Sequence, residues 1–330
     1  MKRLWSKGGT GMLALRVHTL GGPEGMSLDE VPEQTGRNDA TSVRVAVRAA
    51  GVGFVDTLLT RGQFECVSNP PFTPGLEISG EVTAAPPGSG YDVGDRVIGH
   101  TLTGGFADVA WVQPDLLAPL PRELSFVEGA AIVVNFHTAL LALCRAQLRA
   151  GDSVLVHGAG GGLGSATVQL ATALGARVVA VASSPERQEV AWAAGACGVC
   201  GPDEWCDAVS AAGGVDVIVD PVGGEVFEQS LRCLAPEGRL ITLGATSNVM
   251  GSVASGHLLR PGSSVMGLLW TEALNRDRTL FTRAAKELDA HVAGGLRPII
   301  GATYGLAQGA EALRAIEDRT ASGKLVLTTR

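Results

Sequence analysis

The chain has 330 residues, 45% apolar and 18% charged, with a net charge of −7. That length allows two cores, because a single core stops growing near about 250–300 residues, and the composition is that of a globular protein. The negative balance, with no basic stripe and no Lys/Arg cluster interleaved with aromatics, argues against a nucleic-acid partner. The absence of a run of about 18 uncharged apolar residues argues against a membrane span.

The opening stretch MKRLWSKGGTGMLALRV has early basic residues but no long apolar segment and no small-residue cleavage site. It reads as a short leader before a first strand, and a cytoplasmic location is expected. Up to residue 127 the chain is rich in Gly, Pro and Val. Strand-like runs such as SVRVAVRAAGV (42–52), GEVTAA (80–85) and DRVIGH (95–100) are separated by turn signals such as PPGSG (86–90). This pattern predicts a compact, mostly-β domain.

From residue 128 the texture changes. FVEGAAIVVNFHTALLALCRAQL places Ala and Leu at helical spacing. Then come SVLVHG, the helix GSATVQLATALG, RVVAVAS, the helix PERQEVAWAAG, VDVIVDPV, the helix GEVFEQSLRCLA, GRLITLG and SSVMGLLW. Nearly continuous apolar strands alternating with helices predict a parallel sheet covered on both faces. The last run, SSVMGLLW (263–270), is apolar throughout and would leave an open edge. A two-fold partner would continue the sheet across it, so a homodimer is expected. After Pro298 the runs shorten to IIGATYGL, the helix GAEALRAIEDRTA and the strand KLVLTTR, which are expected to rejoin the first domain. The predicted fold class is therefore α/β: a doubly wound parallel sheet over residues 128–297 and a mostly-β domain built from 12–127 and 298–330.

Residues 155–187, LVHGAGGGLGSATVQLATALGARVVAVASSPER, carry the chemistry. A strand (153–157), a glycine-rich turn (158–164) and an amphipathic helix (165–175) follow one another. Gly161 lets the backbone approach a diphosphate, Gly164 lets the helix pack on the strand, and the helix N-terminus supplies free N–H groups and a positive dipole end. In the G-x-G-x-x-G register the first glycine is Ala159. Position after a strand and before a helix is the context this fingerprint requires.

The second strand decides between cofactors. An acid at its end normally accepts from a ribose 2′-OH, but VAVASSPER puts Ala182, Ser183 and Ser184 there. No acid then repels a 2′-phosphate, two hydroxyls can donate to it, and Arg187 can pair with it. NADP(H) is the expected cofactor.

CGVCGPDEWC holds Cys197, Cys200 and Cys206. A metal or redox role needs a further ligand or a thioredoxin-like context, and neither is visible. Six cysteines in a chain this long make no disulfide framework, so small hydrophobes in a reducing cell are expected.

Seven stretches, in order, carry a family resemblance: AAGVGFVDTLLTRGQF (49–64), PPFTPGLEISGEV (70–82), VGDRVIG (93–99), GGFADVA (104–110), HTAL (137–140), VHGAGGGLG (156–164) and GKLVL (323–327). The chain resembles the zinc-independent quinone oxidoreductase (zeta-crystallin-like) branch of the medium-chain dehydrogenase/reductase superfamily over nearly its whole length. The resemblance implies a GroES-like β-barrel domain and a Rossmann domain. It implies that Thr138 approaches the nicotinamide and that Gly158, Ala159, Gly161, Gly162 and Leu163 hold the diphosphate. It places Ser183, Ser184 and Arg187 at the adenosine phosphate, and Val222, Leu243, Gly244, Ala245, Leu268 and Leu269 along the nicotinamide side.

Four departures from the family pattern stand out. Gly53 replaces the usual Asn, Leu58 and Phe64 replace tyrosines, and Gly201–Pro202 replaces a polar residue near the adenosine. Where the superfamily's catalytic zinc takes Cys and His, this chain has Phe54–Val55–Asp56 and Gly75–Leu76–Glu77, and Cys66 is the only cysteine in the first 140 residues. Zinc needs three or four such ligands, so no metal is expected.

The expected activity is an NADPH-dependent reduction of a small-molecule electron acceptor, a quinone or another electron-poor enone or carbonyl compound. Phe54, Leu58 and Phe64 would form the acceptor's apolar surface. The catalytic candidates are Thr138, His137 and His100, and Asp56 and Glu77 are expected to be structural. Two alternatives remain open: an enoyl-thioester reductase of the same superfamily, and an NADPH-binding protein with little turnover.

Overall fold

The computed structural model describes residues 11–33, 41–64, 69–259 and 262–329. The expected leader (residues 1–10) and Cys66 lie outside the described residues. The chain divides into two compact units. One contains residues 1–130, 303–319 and 326–330; the other contains 131–302 and 320–325. The returning tail is thus shared. Residues 298–302 and 320–325, read from sequence as part of the first domain, pack with the second unit.

The first unit opens with β1 (Gly11–Val17) and β2 (Met26–Pro32), an antiparallel pair. Next come β3 (Val43–Val52), α1 (Phe54–Arg61), β4 (Glu77–Ala84), β5 (Arg96–His100), β6 (Val109–Val112) and β7 (Leu117–Pro119). Along β3, Val43, Val45 and Val47 point inward while the residues between them stay partly exposed, the period of two of a half-buried strand.

In the second unit the elements alternate: α2 (Phe126–Arg145), β8 (Ser153–Val156), α3 (Gly162–Ala173), β9 (Arg177–Val181), α4 (Pro185–Ala193), β10 (Gly198–Cys200), α5 (Trp205–Ala211), β11 (Val215–Asp220), α6 (Gly224–Ser230), β12 (Leu234–Thr242), α7 (Gly256–Leu259), β13 (Ser264–Gly267), α8 (Trp270–Arg276) and α9 (Thr279–Ala293). The tail adds β14 (Ile300–Gly305), α10 (Gly309–Glu317) and β15 (Lys324–Thr328). A seven-stranded sheet runs β14-β15-β3-β4-β5-β7, with β6 on β3, and its β3-β4, β3-β6, β4-β5 and β5-β7 pairs are antiparallel.

The other sheet runs β10-β9-β8-β11-β12-β13, and its pairs are parallel. Counted from β8, this is the 3-2-1-4-5-6 order of a dinucleotide-binding sheet, with its switch point between β8 and β11. Val154, Leu155, Val156, Val217, Ile218, Leu240 and Ile241 are fully buried. Helices cover both faces of these strands, and each such side chain contributes roughly 1.5–3 kcal/mol.

Two expectations change. The helix after the glycine turn starts at Gly162, three residues earlier than predicted, because the turn itself closes into its first turn. The run 263–270 is not one strand: β13 ends at Gly267, Leu269 caps α8, and Trp270 is buried as its first residue. Helix α2, with mean hydropathy 1.7, is long and apolar enough to cross a membrane, but 72% of its apolar window is buried inside the protein. Its single Glu128 interrupts the uncharged run and caps the helix through Ser125.

Candidate cofactor site

The switch point brings the turns after β8 and β11 together. Gly158 has φ of +60°, a left-handed conformation that favours glycine, and a side chain there would lie 3.5 Å from Pro221. His157 N–H donates to Val219 O, and Ala159 N–H to Val181 O, so the turn is tied to β11 on one side and β9 on the other. Past β11, the buried Asp220 carboxylate accepts from the amides of Val222 (2.7 Å) and Gly223 (3.1 Å). Burial pushes its acid up, against the pull of those two amides. Thr246 N–H and Ser247 N–H then donate to Pro221 O and Val222 O, holding residues 243–247 beside the same turn.

The four central glycines have different causes. A side chain on Gly160 would run into Arg187, one on Gly162 into Asn135, and one on Gly164 into Gly158 O and Ala159, whose Cα would be 2.6 Å away. Gly161 is different. Its φ of −93° suits any residue, and the nearest atom to an added Cβ is 3.5 Å away. No protein atom requires a glycine there, and the space it leaves open lies beside the N–H groups of residues 162–164. These begin a 12-residue helix and have no partner within it. Such a cradle fits a dinucleotide's diphosphate.

The arginine is also in place. Arg187 Nε donates to Ala321 O (3.0 Å) and its Nη1 to Ser183 Oγ (2.9 Å), while Ser184 caps α4 by accepting from the Arg187 amide. These contacts fix the guanidinium between Ser183 and Ala321, while the Cβ and backbone of Arg187 lie beside Gly160. No acid ends the second strand, but one follows two residues after Ser184. Glu186 lies in the first turn of α4, and its own backbone amide, then the Ser184 hydroxyl, hold its exposed carboxyl below the usual range.

Gly158, Ala159, Gly161, Gly162, Leu163, Ser183, Ser184, Arg187, Val222, Leu243, Gly244 and Ala245 therefore converge on one end of the parallel sheet. Leu268 and Leu269 follow β13 on the same sheet, but they diverge: Leu268 is buried at 5% exposure, whereas Leu269 is 40% exposed. Thr138 lies in α2 and is 7% exposed.

His137 is fully buried between Trp270 and Phe281, with ring centroids 5.4 and 4.9 Å away. As a catalytic candidate it is therefore corrected: the structure makes it a packing residue. His100, in the first unit, is also fully buried. Its Nδ1 accepts from Leu102 N–H (3.1 Å), which leaves the proton on Nε2, and burial pushes its pKa down to about 4. A neutral imidazole of this kind is a poor proton donor near pH 7.

Within the first unit, Phe54 and Leu58 are four residues apart on α1, so they share one face and both are half-buried. Phe64 is half-buried beyond the Gly62 cap. Asp56 accepts from the amides of Gly53 and Gly75, a structural use. Among the described residues no three His, Cys, Asp or Glu side chains gather as a metal-ligand set.

Sequence reasoning missed Asn135, Asp220 and Lys324. Asp220, an acid closing the apolar run VDVIVD, was visible as an anomaly. Lys324 was not. It is 3% exposed, its stem passes 3.2 Å from the Cβ position of Gly162, and Gly323 N–H donates to Gly160 O. Only the fold brings that segment, more than 150 positions later, to the glycine turn.

Known proteins share this arrangement. Residues 39–122 match the alcohol dehydrogenase GroES-like domain and residues 162–288 the zinc-binding dehydrogenase family. The quinone oxidoreductase of Sus scrofa is 34% identical over 331 residues, covering 96% of this chain and 97% of its own. A probable oxidoreductase from Mycobacterium abscessus superposes with a TM-score of 0.89 at 37% identity, covering 98% of this chain and all of the other. The quinone oxidoreductase from Thermus thermophilus, solved also in complex with NADPH, gives 0.84 at 36% identity, covering 96% and 100%.

Proposed function

This chain belongs to the quinone oxidoreductase family of the medium-chain dehydrogenase/reductase superfamily, and from that membership we propose that it is an NADPH-dependent, zinc-independent reductase of quinones or similarly electron-poor acceptors. The observation that carries the proposal is the open approach at Gly161, flanked by the first-turn amides of α3 and by Arg187. When bound, the reduced nicotinamide supplies a hydride.

The chain's own residues bind and orient. The amides of residues 162–164 meet the diphosphate, and Arg187 with Ser183 meets the 2′-phosphate. Thr138 orients the nicotinamide, and the apolar face of Phe54 and Leu58 receives a flat acceptor. Orientation of this kind supplies much of the rate in a reaction whose chemistry resides in the cofactor. Zinc independence is supported by Phe54–Val55–Asp56 and Gly75–Leu76–Glu77, where the Asp56 carboxylate is already committed to two backbone amides.

The remaining requirement is a proton for the reduced acceptor. His137 is packed and His100 is held neutral, so Thr138 or water is left to deliver it. A hydroquinone anion tolerates that arrangement because it is stable until water protonates it. The far more basic enolate of an enoyl thioester tolerates it less, and Leu58 and Phe64 supply no hydroxyl. A homodimer through the β13 edge and a cytoplasmic setting belong to the same proposal. The edge position of β13 supports the first, and the free cysteines among the described residues support the second.

Fluorescence titration with NADPH and NADH tests the cofactor assignment. Tighter binding of NADPH is expected, and equal affinity for the two overturns it.

A further inference from the structure

The cysteine-bearing stretch CGVCGPDEWC divides between β10 and α5. Cys197 is exposed ahead of β10, Cys200 ends that strand half-buried, and neither has a sulfur partner among the described residues. Cys206, the second residue of α5, turns the other way. Its Sγ lies 3.3 Å from Sγ of Cys233, which is 27 positions later in the 3-10 turn Leu231–Cys233. Ser210, one helical turn along from Cys206, puts its Oγ 3.5 Å from the Cys233 sulfur, and Cys206 O lies 3.7 Å from it. Cys233 is completely buried, among Trp205, Val209, Leu231 and Leu234, whereas Cys206 is half-buried at the edge of that cluster.

Two sulfurs at 3.3 Å need to close only to about 2.05 Å to bond. Both sit near the ends of short elements, Cys206 in the first turn of a seven-residue helix and Cys233 as the last residue of a single 3-10 turn. The asymmetry in exposure gives an order of events, because an oxidant reaches Cys206 first. Burial pushes the Cys233 thiol up to about 11, so it stays protonated and slow toward the oxidant itself.

We propose that Cys206 and Cys233 are an oxidisable dithiol, converted by a two-electron oxidant of the peroxide class into an intramolecular disulfide, while the Cys197–Cys200 pair takes no part. In the first step the Cys206 sulfur attacks a peroxide oxygen. The O–O bond breaks, one water leaves with the thiol proton, and Cys206 becomes a sulfenic acid. In the second, the Cys233 sulfur attacks the Cys206 sulfur, the S–O bond breaks, a second water leaves with the Cys233 proton, and the S–S bond forms. The two sulfurs together lose two electrons, and the two peroxide oxygens gain them. Ser210 Oγ and Cys206 O are within hydrogen-bond reach of the Cys233 thiol and hold it toward Cys206, while its proton leaves with the water. Resolution by a neighbouring thiol also protects Cys206 from further, irreversible oxidation.

The test uses the full chain, first reduced and then treated with hydrogen peroxide. Remaining thiols are blocked, and the product is digested without reductant by trypsin and an Asp/Glu-directed protease. The second protease is required because residues 188–231 contain no Lys or Arg; cleavage at Glu204 separates Cys206 from Cys197 and Cys200. The expected result is an intact mass lower by two hydrogens and a dominant Cys206–Cys233 cross-link that dithiothreitol reverses. Cys200→Ser should leave the cross-link unchanged, and Cys206→Ser should abolish it. Each of four results overturns the proposal: no mass loss, a Cys197–Cys200 link, an intermolecular dimer, or sulfinic acid at Cys206 with Cys233 still reduced. The wild-type map decides alone if a variant fails to fold.

Discussion

Arg187 carries the clearest single-residue expectation. Its guanidinium is already oriented by Ala321 O and Ser183 Oγ, so a 2′-phosphate meets a fixed donor and no side chain must be ordered on binding. Losing one charge-assisted contact costs roughly 1.5–3 kcal/mol, or about 10- to 150-fold in affinity. Arg187→Gln should therefore weaken NADPH by that factor and NADH by less than about threefold. An equal loss for both cofactors, measured by fluorescence titration, would assign the arginine to the helix instead. Its position was legible because the motif is local; Ala321, its partner, lies 134 positions on and was not.

Two buried histidines make a second expectation. Burial pushes His100 to about 4 and His157 to about 3, from 6.5. His157 is held between Ser230 Oγ (2.9 Å) and the Trp205 ring. Unfolded, each takes up a proton as pH falls through 6.5; folded, neither does until pH 4 or below. Their contribution is complete above pH 6.5 and is lost as the pH falls toward 4, at about 1.4 kcal/mol per pH unit for each. Denaturant unfolding between pH 7 and 4.5 should show this decline, and His157→Gln should reduce its slope by one proton. A slope unchanged in that variant would contradict the assignment. His100→Ala should change kcat by less than tenfold, since removing a general acid costs about 10²–10⁴.

The strand–turn–helix around Gly161 separates folding from binding within one motif. Gly161→Ala adds a Cβ that meets nothing closer than 3.5 Å and keeps an ordinary φ, so thermal stability should hold while NADPH affinity falls more than about tenfold. Gly164→Ala should do the reverse, because its Cβ would meet Ala159 Cα at 2.6 Å; such overpacking costs about 1–3 kcal/mol. Equal effects on melting and binding in both variants would remove the distinction. The alternation of apolar strands and helices was readable because parallel strands are buried on both faces. The division of residues 263–270 between β13 and α8 was not, since a short apolar run fits either period. The same ambiguity hid β10, a three-residue edge strand inside the stretch that holds Cys197 and Cys200.

Over the whole chain, the two-unit plan was legible from the change in texture near residue 128. The shared tail was not, because GKLVL serves one unit through Gly323 and Lys324 and the other through residues 326–330. Under the proposed function, acceptor choice turns on what surface the substrate meets and on what protonates it. The most direct test is steady-state NADPH oxidation by the wild-type enzyme with a benzoquinone-type acceptor, an enone and an enoyl thioester, compared by kcat/KM. The quinone should exceed the enoyl thioester by at least about a hundredfold, the lower end of the range a missing general acid allows. An enoyl thioester reduced faster than any quinone would contradict it and make this chain an enoyl reductase with a proton donor of its own.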